Sequence, residues 1–464
     1  MSPCQAMTAM GVAPRLRPAL LLWIGLGLSF AASCVQVDPR PDYDRARRLF
    51  EESTGRSEVF DPLAPNLPPE ELDAILADGL SLDEALRVAL LNNFELHAEF
   101  QEIGIAHADW VQSQLLTNPS LDFLLRFPAE GGRWMLEAIV GLELLELWRI
   151  PVRQEVARER LEATVLCIAR RAGELTLETR AAYCSAAAAE QLRMVAQERL
   201  ELASRSFEAV RDMRKAGAAD GLDENLAQGP LLFAQLALMA ARLEVADARR
   251  TLAKKLSLQR SLADLLLLDA LPLRLPALED FEVLVKKAMA SRLDLRAMEA
   301  AIRALDSQVR LEERRAWGEL AAGPTVERPA GSGGELIGPA LSLTLPVFDQ
   351  NQAQIARAGF KLQRMVKLHG AMQVGLTQDL RAAVERMNAA AKSLDLYAHE
   401  LLPRAERSLA LARDSYAAGQ ASLLVLLEAQ RQVLEVQSAH VTLRLEAALS
   451  TAELARIVGA PLDG

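Results

Sequence analysis

A chain of 464 residues is long enough for two or three ordinary domains. Its formal charge of −10, with no run of lysines and arginines, argues against nucleic acid as a partner. Alanine, leucine, glutamate and arginine dominate and strand-rich stretches are few, so the expected fold class is mainly α with a small β part.

Arg15 and Arg17 precede an apolar run from Ala19 to Phe30, which ends in Ala31, Ala32, Ser33 and Cys34. A positive start, an apolar core too short to span a bilayer and small residues at the cut describe a secretory signal over residues 1–33. Cys34, directly after the small residues, resembles the box of a bacterial lipoprotein. That resemblance implies a covalent lipid on Cys34; no other cofactor is expected. The alternative is an ordinary cleaved signal. Cys167 and Cys184 lie 17 residues apart on one expected helix, roughly 25 Å at the standard rise. They are too far apart to bridge and read as small buried residues. No later stretch is apolar enough for a transmembrane helix.

Val35 to about Leu80 is rich in proline, aspartate and arginine and reads as an extended arm, so residues 34–80 form a lipid-anchored N-terminal segment. Ser81 to Leu91 opens an amphipathic helix, with Ser81 and Glu84 as a capping box. Asn92-Asn93 interrupts it, Phe94 to Leu116 resumes it, and Asn118-Pro119 breaks it. From Ser120 to Phe127 the pattern alternates, with Leu121 and Phe123 on the apolar face. After a glycine turn a return strand runs from Trp134 to Trp148, an aromatic at each end where a membrane strand meets the interface. Pro151 is expected to start a helix reaching about Lys215, and another runs from Leu222 to about Leu268 with a kink at Gly229-Pro230.

The order then repeats at an offset of about 200 residues. Phe281–Ser291 parallels Leu82–Asn92, Gly323-Pro324 parallels Asn118-Pro119, Phe348 parallels Trp148, and Gly419 parallels Gly217. The repeats are placed at 81–270 and 271–460. A third strand is expected near Gly323–Arg328; flanked by prolines, it is either irregular or borrows from Leu320 to Ala322. A fourth is expected at Leu341, Leu343 and Leu345, stopped by Pro346, with Asp349 or Asn351 capping a helix to Ala417. That helix carries a coiled-coil seam at Leu376, Leu380, Val384, Met387, Ala391 and Leu394.

Read in order and twice over, these stretches resemble the TolC-like outer membrane factors (outer membrane efflux proteins). The words that carry the likeness are LSLDEALRVALLNNFEL, LTNPSL, LTLPVFDQNQAQIARA, LLPRAERSLALARDSYAAGQASLLVLLEAQ and LARIVG. PVFDQNQAQIARA is most similar to the branch linked to heavy-metal resistance. The resemblance implies a homotrimer whose protomers each give four strands to a 12-stranded outer-membrane β-barrel and their helices to a periplasmic α-barrel. It implies a passive exit duct of a tripartite efflux or type I secretion system, partnered by outer-membrane lipid, a periplasmic adaptor and an inner-membrane pump. By the same likeness the turns between long helices are adaptor-docking tips, contacted through Gly217, Leu222, Gly419, Ala421, Ser422 and Leu423. Asp220, Asp223, Glu224 and Glu428 are candidates for an acidic gate. The weak third strand and the sparse aromatics, 5% of the chain, leave a non-conducting lipid-anchored periplasmic coiled-coil scaffold as the alternative. Nothing suggests an enzyme: His97, His107, His369, His399 and His440 are scattered, without the spacing of a metal site.

Overall fold

In the computed structural model residues 36–460 are described, except for 64–66, 128, 130–133, 261, 263–264, 273–274 and 330–333. The signal region and Cys34 lie outside the described residues. The chain divides into two compact units, Met1–Asp38 and Pro39–Gly464, and every described helix and strand belongs to the second.

The segment expected to be an extended arm is helical instead. Helices α1 (Arg40–Thr54) and α2 (Pro69–Ala77) begin at prolines and carry acids in their first turns. Tyr43, Ala46, Leu49 and Phe50 recur every three or four residues and are buried against the helical body. That period was present in the sequence, hidden by the polar residues between. The first repeat follows as α3 (Leu82–Asn92), α4 (Phe94–Gln114), β1 (Ser120–Arg126), β2 (Met135–Glu143), α5 (Leu144–Lys215) and α6 (Gly221–Lys255). The second is α7 (Phe281–Ser291), α8 (Leu293–Arg315), β3 (Leu320–Arg328), β4 (Leu336–Leu343), α9 (Gln352–Leu396), α10 (Leu402–Ala417) and α11 (Leu423–Val458). The capping box of Ser81 and Glu84 forms as expected. At 72 residues α5 is roughly 105 Å long.

Several boundaries differ from the sequence reading, each for a local reason. Pro151 does not start α5 but lies inside it, eight residues in, so Trp148 belongs to the helix and not to the return strand. Helix α6 stops at Lys255, well before Leu268. Ser257 takes a positive φ of 51°, and the chain turns back to form a parallel bridge between Leu267 and Leu80. The terminal carbonyls of α6 are received by the two asparagines that separate α3 from α4: Asn92 Nδ2 donates to Leu256 O and Asn93 Nδ2 to Lys255 O, both at 2.9 Å. Tyr183 ties the knot, its hydroxyl donating to Leu80 O and accepting from Asp269 N. The long second helix is divided by a π turn at Tyr397–Leu401. Pro403, just beyond, has no N–H for the α-helical ladder, and the wider turn absorbs the mismatch. Along α9 the buried seam is Leu376, Leu380, Ala383, Met387 and Leu394; Val384 is only half-buried and Ala391 is exposed. Cys184 is buried but Cys167 is exposed.

The four strands form one antiparallel sheet in the order β1-β2-β3-β4. The third strand does borrow Leu320 to Ala322, which brings it to 9 residues. Its Pro324 faces Pro339 of β4, and the β2–β3 ladder skips the neighbouring positions Val140 and Gly141. A proline cannot donate to a ladder, and Gly323 lies so close to Val140 that a Cβ there would overlap its carbonyl oxygen. Leu345 falls just past the end of β4.

The helical core is centred on α5, with Phe50, Leu80, Phe100, Leu166, Tyr183 and Leu252 fully or almost fully buried around it. Because Phe50 comes from α1, in the N-terminal strap of residues 39–80, Phe50→Ala is expected to cost about 3–5 kcal/mol through lost burial and a residual cavity. Chemical denaturation followed by helical circular dichroism would check this; an unchanged midpoint would mean that the strap is not part of the core.

Candidate functional site: a two-faced sheet and two helical tips

The register sorts the side chains of the sheet by chemistry. Directly paired residues point to the same face. One face therefore carries Leu121, Phe123 and Leu125 of β1 with Leu136, Ala138, Val140 and Leu142 of β2. It continues through Leu320, Ala322, Pro324 and Val326 of β3 to Ile337, Pro339, Leu341 and Leu343 of β4. Arg328, at the end of β3, is its one charged member. The opposite face is mixed: Asp122, Arg126, Glu137, Glu143, Thr325 and Glu327 share it with Leu124, Met135, Ile139 and Leu336, and Arg126 and Glu137 pair at 3.4 Å. One side is suited to hydrocarbon and the other to water, as in a membrane barrel. Of the expected barrel residues, Leu121, Phe123, Leu341 and Leu343 lie on the apolar face. Trp134 precedes β2 and is exposed.

Trp148 has a different role from a strand end. It packs edge-on against Trp317 at 6.3 Å between ring centroids, and the Arg314 guanidinium lies 4.9 Å over its ring. Three arginines hold this join between sheet and helices, and the sequence reading singled out none of them. Arg314 donates to Trp148 O and Arg149 to Gly318 O. Arg153 donates to Ser113 O at 2.9 Å and to Leu115 O at 2.6 Å, and also pairs with Glu146. Gly318, at φ 75°, is pressed against Thr344 O, which leaves no room for a Cβ. The signal was present as arginines close to two of the four strand–helix boundaries, Arg149 and Arg153 after β2 and Arg314 before β3. Asn351 does not cap α9 through its side chain; it takes φ 60° and donates from Nδ2 to Glu312 O and Oε2, tying α9 to α8.

At the far end of the helices the two tips lie side by side: the Tyr416 hydroxyl reaches Met213 Sδ at 3.6 Å. Gly217 and Gly419 both hold positive φ, 76° and 72°, to end α5 and α10. Leu222 is exposed, Ala421 and Leu423 half-buried, and Ser422 exposed. In the first tip Asp220 Oδ1 accepts from Leu222 N and Asp223 N, while Asp223 Oδ2 accepts from Asp220 N. Both carboxylates are thus committed to a capping box. Glu224 pairs with Arg214, and Glu428 pairs with Arg431 at 2.5 Å. The Arg431 guanidinium beside it holds the Glu428 carboxyl below its ordinary value. The four acids expected to act together therefore have different surroundings: two cap a helix and two face a cation.

Among the described residues no group of three or more histidines, cysteines and acids could hold a metal ion. His107 bonds to Asp42 at 2.7 Å and His97 stacks on Phe60. Among the described residues no helix is long and apolar enough to cross a membrane.

The comparisons agree with this geometry. The sequence profile of the family described as "Outer membrane efflux protein" matches residues 284–460. The cobalt-zinc-cadmium resistance protein CzcC of Cupriavidus metallidurans is 23% identical over 410 residues, covering 88% of this chain and 95% of CzcC. Among solved structures, the CmeC outer membrane channel of Campylobacter jejuni superposes with a TM-score of 0.70 at 15% identity, over 85% of this chain and 89% of that one. The open-state MtrE outer membrane channel of Neisseria gonorrhoeae gives 0.66 at 21% identity, over 82% and 89%. The second repeat thus matches the outer membrane efflux protein profile, and the fold is that of the outer membrane channels.

Proposed function

We propose that three copies of this chain form the outer-membrane exit duct of a tripartite efflux system, a passive conduit with its sheet in the membrane and its helices in the periplasm. The observation that carries the reading is the two-faced sheet with unpaired edges at β1 and β4, continuous with helices of roughly 70 to 105 Å. Energy would come from an inner-membrane pump, reached through a periplasmic adaptor. The likeness to CzcC favours divalent metal cations as cargo over secreted polypeptide.

The duplication says how copies would join. Helix α4 packs on α5, α5 on α8 and α8 on α9, so one repeat meets the next through α5 and α8. That contact is laced by Glu155–Arg310 and Glu159–Arg303 ion pairs. The equivalent partner of α9 is α4 of the next copy. No acid occurs between Asp349 and Asp379, and Arg357, Lys361, Arg364 and Lys367 are all exposed. On α4 the exposed Glu102 and Asp109 flank Ile105, itself exposed. Asp109 lies five residues before the end of α4 and Arg357 five after the start of α9; Glu102 and Arg364 are each twelve from the same ends. Both ends adjoin the sheet, so the opposite charges lie at equal heights. Reversing Arg357 and Arg364 to Glu should convert detergent-stable trimer to monomer, and reversing Glu102 and Asp109 to Arg in the same chain should restore it. Failure of that rescue would remove α4 as the partner.

At the tips, the turn residues Gly217, Leu222, Gly419, Ala421, Ser422 and Leu423 would receive the adaptor. Ser422→Trp is expected to abolish export while leaving the trimer intact; normal export from it would discard the docking role.

Purified protein in planar bilayers should show single-channel steps. Among the described residues Asp220 and Asp223 pair with no cation, so they would contribute more to a cation-selective gate than Glu224 and Glu428. Neutralising them should cut cation selectivity severalfold, whereas Glu428→Gln should leave it nearly unchanged. Steps with unaltered selectivity would keep the duct and discard the gate; no steps, even from variants loosened at the tips, would favour a scaffold without a pore.

A further inference from the structure

A cavity of about 380 Å³ lies where the strap, α5, the start of α8 and the end of α11 meet, and its wall includes Arg56, Arg170, Arg180, Arg292 and Arg456. Five guanidinium groups on one cavity call for a reckoning of their counter-charges. Arg56 pairs with Asp83 at 2.5 Å, and Arg170 pairs with Glu174. Arg292 pairs with Asp294 and also donates to Ile457 O at 3.0 Å, while Arg456 pairs with Glu453 at 2.7 Å. Burial pushes the Asp294 carboxyl up, but the Arg292 guanidinium more than offsets it and holds Asp294 below its ordinary value. All four carboxylates are thus spoken for.

Arg180 is the exception. It has no hydrogen bond or ion pair among the described residues, and its Nε is shielded from solvent without an acceptor. An unmatched charge in such a place is costly, and a guanidinium is shaped to grip two oxygens of one group. We propose that this cavity binds a small oxyanion, a phosphoryl or carboxylate group, with Arg180 as its principal contact. The bound group would supply the missing counter-charge and link the strap to both repeats. This site is separate from the conduit and its tips.

The test is thermal unfolding of the full chain, purified as it assembles in detergent, with inorganic phosphate or acetate added against chloride at equal ionic strength. A saturable rise of about 2 °C or more is expected with at least one oxyanion. Response to phosphate alone would assign a phosphoryl group, and response to acetate alone a carboxylate. Arg180→Gln should lose the rise, Arg180→Lys should need at least about tenfold more anion for half the effect, and Arg193→Gln, outside the cavity, should keep it. Should Arg180→Gln fail to fold, the lysine variant decides. No rise with either anion, or an undiminished rise in the Arg180 variants, would overturn the proposal.

Discussion

Unpaired backbone at the two edges of the sheet is the constraint on which the rest of the structure depends. Among the described residues β1 and β4 each have one side with no ladder partner. In water such an edge can be hydrated, but the apolar face from Leu121 through Val140 to Leu341 belongs in hydrocarbon. There each unmet N–H or C=O costs several kcal/mol. A single copy cannot satisfy both demands. Further copies that bring β4 beside β1 satisfy them together, with the polar face, including Asp122, Glu137 and Glu327, turned to an aqueous interior. Once the sheets close, the helices that leave them must close as well, because α5 and α9 follow their strands at once or after a short bend.

Those exits are where the chain spends its arginines and amides. A strand ladder and a helix ladder cannot share their terminal carbonyls, so each join leaves orphan acceptors. Arg149, Arg153 and Arg314 take up Gly318, Ser113, Leu115 and Trp148 at the membrane end. At mid-height the same problem recurs twice with different residues. Asn92 and Asn93 receive the end of α6, while Ser291 and Arg292 receive the end of α11 through Val458 O and Ile457 O. The duplication has kept the geometry and changed the donor chemistry.

Element type and order were legible in the sequence because periods of two and of three to four residues report burial on one face, and the repeat offset doubled each signal. What could not be read lies where a long-range partner overrides a local rule. Pro151 reads as a helix start, yet Trp148 and Arg149 are drawn into the helix by contacts with Trp317 and Gly318 from the other repeat. Asn92-Asn93 reads as a break, and its larger role as a cap for α6 comes from residues more than 160 positions away. The strap was missed because Tyr43 and Phe50 are separated by charged residues, and only the core around α5 shows which face is wanted. At the tips, type and place were readable from Gly217 and Gly419, but the commitment of Asp220 and Asp223 to each other was not weighed.

The two tips differ in a way the duplication does not require. The first is closed by a reciprocal capping box between Asp220 and Asp223 and an ion pair between Arg214 and Glu224. In the second, Ser422 stands at the cap position without a side-chain bond to the helix, and Gln420 N and Ala421 N both rest on Ser415 O. A cap of this kind contributes about 1 kcal/mol, so the start of α11 has weaker local restraint than the start of α6. Above it, the π turn at Tyr397–Leu401 interrupts the regular ladder between α9 and α10. The second hairpin therefore has a weakly fixed end and a π turn in its shaft, while the first has a capped end, with Pro230 the one irregular residue inside α6. If opening a duct means moving one pair of helices against another, the second hairpin is the one whose local bonds oppose it least.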